Sequence, residues 1–147
     1  PHLSEPDLRA MAVYLRSLPQ QAPPPAPPAS EEGEEPPPPP PSRLIGERLY
    51  GQHCVQCHGE QGEGVAGAYP ALAGNRSVTR DSPANLIRIL RHGGYPPATA
   101  GNPRPHGMPP YGHVFNDEEM AAVATYLRSA WGHQAAPVSA LEVFRYR

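Results

Sequence analysis

The stretch GQHCVQCHGEQGEG, residues 51–64, holds both cysteines of a 147-residue chain, Cys54 and Cys57, with His58 directly after them. Two thiols and an imidazole this close have four chemical uses: a disulfide, a zinc site, a thiol redox pair, or covalent attachment of a haem. A disulfide between Cys54 and Cys57 closes a strained, very small loop. A structural zinc needs four nitrogen or sulfur ligands. With no other cysteine in the chain, His92, His106 or His113 would have to be recruited from loops. A thioredoxin-like pair belongs in a βαβ setting, and the sequence shows no convincing alternating strand. The pattern C-x-x-C-H is the attachment pattern of c-type haem. On a helical turn, residues three apart share a face, so Cys54 and Cys57 both reach the vinyl groups on one porphyrin edge, and His58 is held under the iron.

A haem iron so held has a sixth position to fill or leave open. Met108, in PHGMPPYGH (residues 105–113), sits in a proline- and glycine-rich loop outside any helical pattern. Its thioether is a soft ligand that raises the reduction potential, whereas His106 or His113 in its place would lower it. Met11 and Met120 fall on apolar helix faces and read as core filler. His53, His92 and His133 read as surface or hydrogen-bonding residues. With both axial positions filled, the iron exchanges electrons and does no substrate chemistry. With Met108 unbound, the same motif serves a catalytic or ligand-sensing haem open to peroxide, nitrite or a gas. A third reading, a tethered docking module, has C-x-x-C-H itself against it.

Working outward, residues 43–133 carry helical patterns. RLIGERLYGQHC runs into the cysteines with Leu44, Ile45, Leu49 and Tyr50 at near-helical spacing. SPANLIRILRHGG predicts a helix capped by Ser82, with Pro83 at its first position and a glycine pair at its end. NDEEMAAVATYLRSAWG predicts a helix with Asn116 and Glu119 as a capping box. Its apolar face is Met120, Val123, Ala124 and Leu127, and Gly132 closes it. The 23 prolines exceed what helices or strands accommodate. Many of them fall in residues 19–42, a Pro/Glu-rich linker expected to be mostly polyproline II at about 3.1 Å per residue. Residues 134–147 form a C-terminal tail in which LEVFRYR packs on the domain or on a partner. Residues 3–19, LSEPDLRAMAVYLRSLP, align without gaps on residues 115–131, FNDEEMAAVATYLRSAW. They share an N-cap, an acid three residues later and an identical YLRS, which reads as a repeat. Residues 1–18 are therefore expected to be the closing helix of a preceding, similar domain.

Net charge is −2, every lysine is missing, and no basic block points to nucleic acid. No apolar run is long enough to cross a bilayer. The chain starts at Pro1 without a signal peptide, as a processed chain or a fragment would.

GQHCVQCHGEQGEG, then YPALAGN, then GMPPYG, then a helix containing TYLRS resembles a class I cytochrome c domain, an all-α fold of about three to five helices around one covalently bound haem c. More closely, it resembles the C-terminal haem domain of the multi-haem, usually tri-haem, cytochrome subunits of bacterial periplasmic dehydrogenases for alcohol, aldehyde, gluconate or glucose. The resemblance implies that Cys54 and Cys57 attach the haem, that His58 and Met108 are its axial ligands, and that the Pro70 carbonyl accepts a hydrogen bond from the His58 ring. It implies a close helix crossing at Gly46 and Tyr50 near Tyr126. It also implies a pocket lined by Tyr69, Leu72, Leu86, Ile89, Leu90, Tyr111 and Leu127. Arg91 is either a haem-propionate partner or a plain cation at a helix C-terminus. The implied partners are preceding cytochrome c domains of the same polypeptide, a dehydrogenase catalytic subunit, and quinone or another redox protein as acceptor. C-type haem is attached outside the bacterial cytoplasm, so the implied place is the periplasm, peripheral to the inner membrane through partner subunits.

Overall fold

The computed structural model describes residues 3–19, 40–100 and 103–147. Most of the expected linker, 19–42, and its polyproline reading therefore lie outside the described residues. All regular structure among them is helical, with two isolated bridges, Val65 to Tyr69 and Gly94 to Met108, and no strand.

Helix α1, Glu5–Ser17, lies in a unit of its own. Ser4 caps it as expected: its hydroxyl accepts from the Asp7 N–H, and the Asp7 carboxylate accepts from the Ser4 N–H at 3.0 Å. No residue of α1 is buried, and Leu8, Met11 and Leu15 are exposed.

The second unit holds the rest. Helix α2 spans Pro41–His53, starting two residues before the expected boundary at 43. Pro41 opens it because a first-turn residue has no intrahelical use for an N–H. A single turn, α3 (Val55–His58), follows at once, and then α4 (Arg76–Thr79). Helix α5 is Ala84–His92, with Pro83 as N-cap, one residue later than the Ser82-capped start expected. The Ser82 hydroxyl reaches the Ala84 N–H only at 3.5 Å, too long for a capping bond of ordinary strength. Helix α6 is Asp117–Ser129, with the Asn116–Glu119 capping box in place, and α7 is Ala140–Arg145.

The core forms where α2 crosses α6. A Cβ on Gly46 would sit 2.1 Å from the Ala122 carbonyl oxygen and 2.8 Å from the Tyr126 Cβ, so only glycine permits this approach. One turn on, the Tyr50 ring packs on Tyr126 and Trp131 at centroid distances of 5.3 and 5.2 Å. The expected α6 face is buried, but so is every residue from Met120 to Arg128. The tail is the reason: it folds back over the other side of α6. Val138 and Val143 are buried, and the Val138 N–H donates to Thr125 Oγ1 at 3.0 Å. Arg128, only 2% exposed, donates to the carbonyls of Val78, Arg80 and Ala136 at 3.0, 2.6 and 2.7 Å. One buried guanidinium thus ties α4 and the tail to α6.

Candidate cofactor cleft

The cysteine turn is built by backbone bonds that carry α2 into α3. The Cys54 N–H donates to the Tyr50 carbonyl at 2.9 Å, and the N–H groups of Cys57 and His58 both donate to the Cys54 carbonyl at 3.1 and 2.9 Å. Cys54 and Cys57 therefore share one turn, with His58 beside them. Both are free thiols. Burial, with Cys57 close by, pushes the Cys54 thiol up to about 12. Among the described residues, no group of three or more His, Cys, Asp or Glu side chains is placed to hold a metal ion, so the four-ligand set of a structural zinc is not assembled around the two thiols. No strand flanks the turn either, so the βαβ setting of a thioredoxin-like pair is missing among the described residues.

The loop after His58 returns under the histidine. The Gly64 N–H donates to the His58 carbonyl at 2.8 Å, and the N–H groups of Leu72 and Ala73 donate to the Gly62 carbonyl. This brings the Pro70 carbonyl to 2.9 Å from His58 Nδ1. With Nδ1–H donating there, Nε2 is the ring nitrogen left with a lone pair. The Tyr50 hydroxyl donates to the Gly59 carbonyl at 2.5 Å and Trp131 Nε1 to the Glu60 carbonyl at 3.3 Å. These two aromatic braces on the loop were not anticipated; an isolated Tyr or Trp has no sequence signal for the carbonyl it will find.

The opposite wall is the Met108 loop. The backbones of Gly94 and Met108 exchange N–H···O bonds at 3.1 and 2.8 Å. The Tyr111 and Gly112 N–H groups donate to the Leu90 and Arg91 carbonyls at the end of α5. Gly93 makes this docking possible. Its φ is +69°, and a Cβ there would lie 2.3 Å from the Met108 carbonyl oxygen.

Between the walls lies a cleft of about 500 Å³, the size of an ordinary cofactor site. Cys54, Cys57, His58, Tyr69 and Pro70 line one side and Ile89, Met108 and Tyr111 the other. No Asp, Glu, Lys or Arg lines it among the described residues. Leu72, Leu86, Leu90 and Leu127 belong to the core behind the cleft rather than to its wall. Arg91 is also off the wall. Its guanidinium is paired with Asp117 at 2.8 Å, so a propionate would have to compete with that ion pair. His106 lines the cleft and lies against the Tyr69 ring at 4.9 Å, whereas His113 faces a shallower depression behind the loop. His133 is engaged elsewhere, with the Leu127 carbonyl and the Gly74 N–H.

Residues 44–131 match the cytochrome c family. The chain belongs to that family. Among its relatives, the cytochrome c subunit of alcohol dehydrogenase (quinone) from Gluconobacter oxydans is 34% identical, over 99% of this chain and 31% of its own length. The corresponding subunit from Gluconacetobacter polyoxogenes is 31% identical, over 99% and 32%. The gluconate 2-dehydrogenase cytochrome c subunit of Pantoea cypripedii is 30% identical, over 99% and 34%. The chain thus spans about a third of the length of these relatives. The cofactor of this cytochrome c domain is covalently bound haem c, and its work is haem-mediated electron transfer. The cleft fits that group: two thiols on one turn, an imidazole with its second nitrogen already bonded, and an uncharged, largely apolar wall.

Proposed function

We propose that His58 and Met108 are the axial ligands of the haem and that the domain relays single electrons from a dehydrogenase catalytic subunit towards quinone or another redox protein. The observation that carries this is the placement of His58 and Met108 on the walls of one cleft, with His58 Nδ1 already committed to the Pro70 carbonyl. The haem supplies a one-electron couple. The chain's own residues hold and tune it. Cys54 and Cys57 anchor it through thioethers, and the Pro70 carbonyl fixes the tautomer and orientation of the His58 ring. The Gly94–Met108 bridge holds the distal loop. An uncharged wall and a thioether ligand both favour a high potential.

The dehydrogenase partner is supported by the relatives' names, which are those of cytochrome c subunits of alcohol and gluconate dehydrogenases. In this reading the domain works in the periplasm, where c-type haem is attached, and meets the inner membrane through partner subunits. Among the described residues no helix is long and apolar enough to cross a membrane. Helix α1 is read as the closing helix of a preceding domain of the same fold. Its Tyr14, Leu15, Arg16 and Ser17 occupy the repeat positions of Tyr126, Leu127, Arg128 and Ser129. Tyr126, Leu127 and Arg128 are buried against their domain, while α1 is exposed throughout. The similarity to the dehydrogenase subunits covers 99% of the chain, α1 included.

Optical spectra of the protein matured in a periplasm, oxidised and reduced, with and without carbon monoxide, test the ligation. The expected result is a low-spin c-type spectrum with the weak far-red band of methionine on ferric iron and no response to carbon monoxide. A high-spin spectrum that shifts with carbon monoxide would mean an open iron and would return the ligand-sensing or catalytic reading.

A further inference from the structure

Among the described residues, the backbone hydrogen bonds of the Met108 loop to other segments go to the end of α5 and to Gly94. Two side chains reach the cysteine side: His106, whose ring lies against Tyr69, and Tyr111, which hydrogen-bonds the attachment turn itself. The Tyr111 hydroxyl donates to the His53 carbonyl at 2.9 Å, and His53 is the residue immediately before Cys54. We propose that Tyr111 is a positioning residue that clasps the distal loop to the haem-attachment turn and so sets the reach of Met108 across the cleft. This rests on the reading of Met108 as a ligand.

Three further observations support the clasp. Between Met108 and Tyr111 stand only Pro109 and Pro110. Proline locks φ, so this link is stiff, and a displacement at Tyr111 is passed on to Met108 rather than absorbed. The Tyr111 ring cannot swing away freely. It stacks on Phe115 at 5.2 Å and 9°, and the His53 ring meets it edge-on at 6.0 Å. The acceptor is at the C-terminal end of α2, where helix carbonyls lack intrahelical donors and need a partner from outside. The sequence offers no sign of this contact, because the donor and acceptor are 58 positions apart.

The test is Tyr111→Phe in the haem-loaded protein, which deletes the hydroxyl and keeps the ring. Three readouts are compared with the wild type: the pH at which the far-red methionine band disappears, the reduction potential, and the urea midpoint. Loss of one hydrogen bond should raise the population of the methionine-released form about tenfold, moving the band's midpoint down by about one pH unit. The potential should fall with it. A lowered urea midpoint with the band's pH midpoint and the potential unmoved would make Tyr111 an ordinary structural brace and overturn the clasp. A wild-type protein without the far-red band would overturn the Met108 reading and the clasp together. A wild-type band with an unmoved Tyr111→Phe band overturns the clasp alone.

Discussion

Asp117 is the residue through which two distant parts of the domain meet. Its carboxylate accepts from Arg91, behind the Met108 loop, and from Arg147, at the end of the tail, each at 2.8 Å. Burial by itself would raise its pKa, but the hydrogen bonds from Arg91 and Arg147 outweigh that and hold it below the ordinary aspartate value of 3.8. A carboxyl depressed in the folded state takes up its proton more readily in the unfolded chain. Its stabilisation is therefore present above pH 3.8 and lost as the pH falls through the lower folded value. Replacing Asp117 with Asn should flatten the decline of stability on the acid side of pH 4. Urea midpoints of wild type and variant between pH 2 and pH 5 measure this, and parallel curves would show that the bridge contributes nothing. Arg128 works differently at the same scale: its guanidinium forks to three carbonyls in a site with almost no water access, a geometry lysine cannot reproduce.

At the scale of elements, the crossing of α2 and α6 sets the distance between the cysteine turn and the body of the domain. It depends on the missing side chain at Gly46. A Gly46→Val change should force the helices apart and destabilise the haem-loaded protein by about 2 kcal/mol or more, as overpacking does. Thermal unfolding followed in the Soret region would show it, and an unchanged midpoint would mean that the helices shift at little cost. The tail is the second lesson here. An amphipathic reading of α6 allows one buried face. Burial of Met120 through Arg128 requires a second covering layer, supplied by Val138, Val143 and the carbonyl of Ala136.

The whole domain encloses a cleft of about 500 Å³ with apolar walls. A unit of this size has a marginal core, and a large apolar cofactor completes it. The double change Cys54→Ala, Cys57→Ala should leave a chain that does not fold cooperatively. Calorimetry or circular dichroism on the haem-free variant decides the point: a sharp thermal transition would show that the polypeptide core suffices alone.

C-x-x-C-H, the capping boxes at Ser4 and Asn116, the glycine at the helix crossing and the methionine loop were all legible in the chain. The motif, the caps and the methionine loop are local patterns in which neighbouring residues act together, so spacing reveals them, whereas the glycine at the crossing was expected only through the resemblance to cytochrome c domains. The tertiary structure alone decided that Arg91 turns to Asp117, that Leu72 and the helix leucines lie behind the cleft wall, that the tail roofs α6, and that Tyr111 reaches His53. Those outcomes depend on which groups from distant segments arrive together. No periodicity encodes that, because burial and long-range hydrogen bonds are settled only when the helices pack.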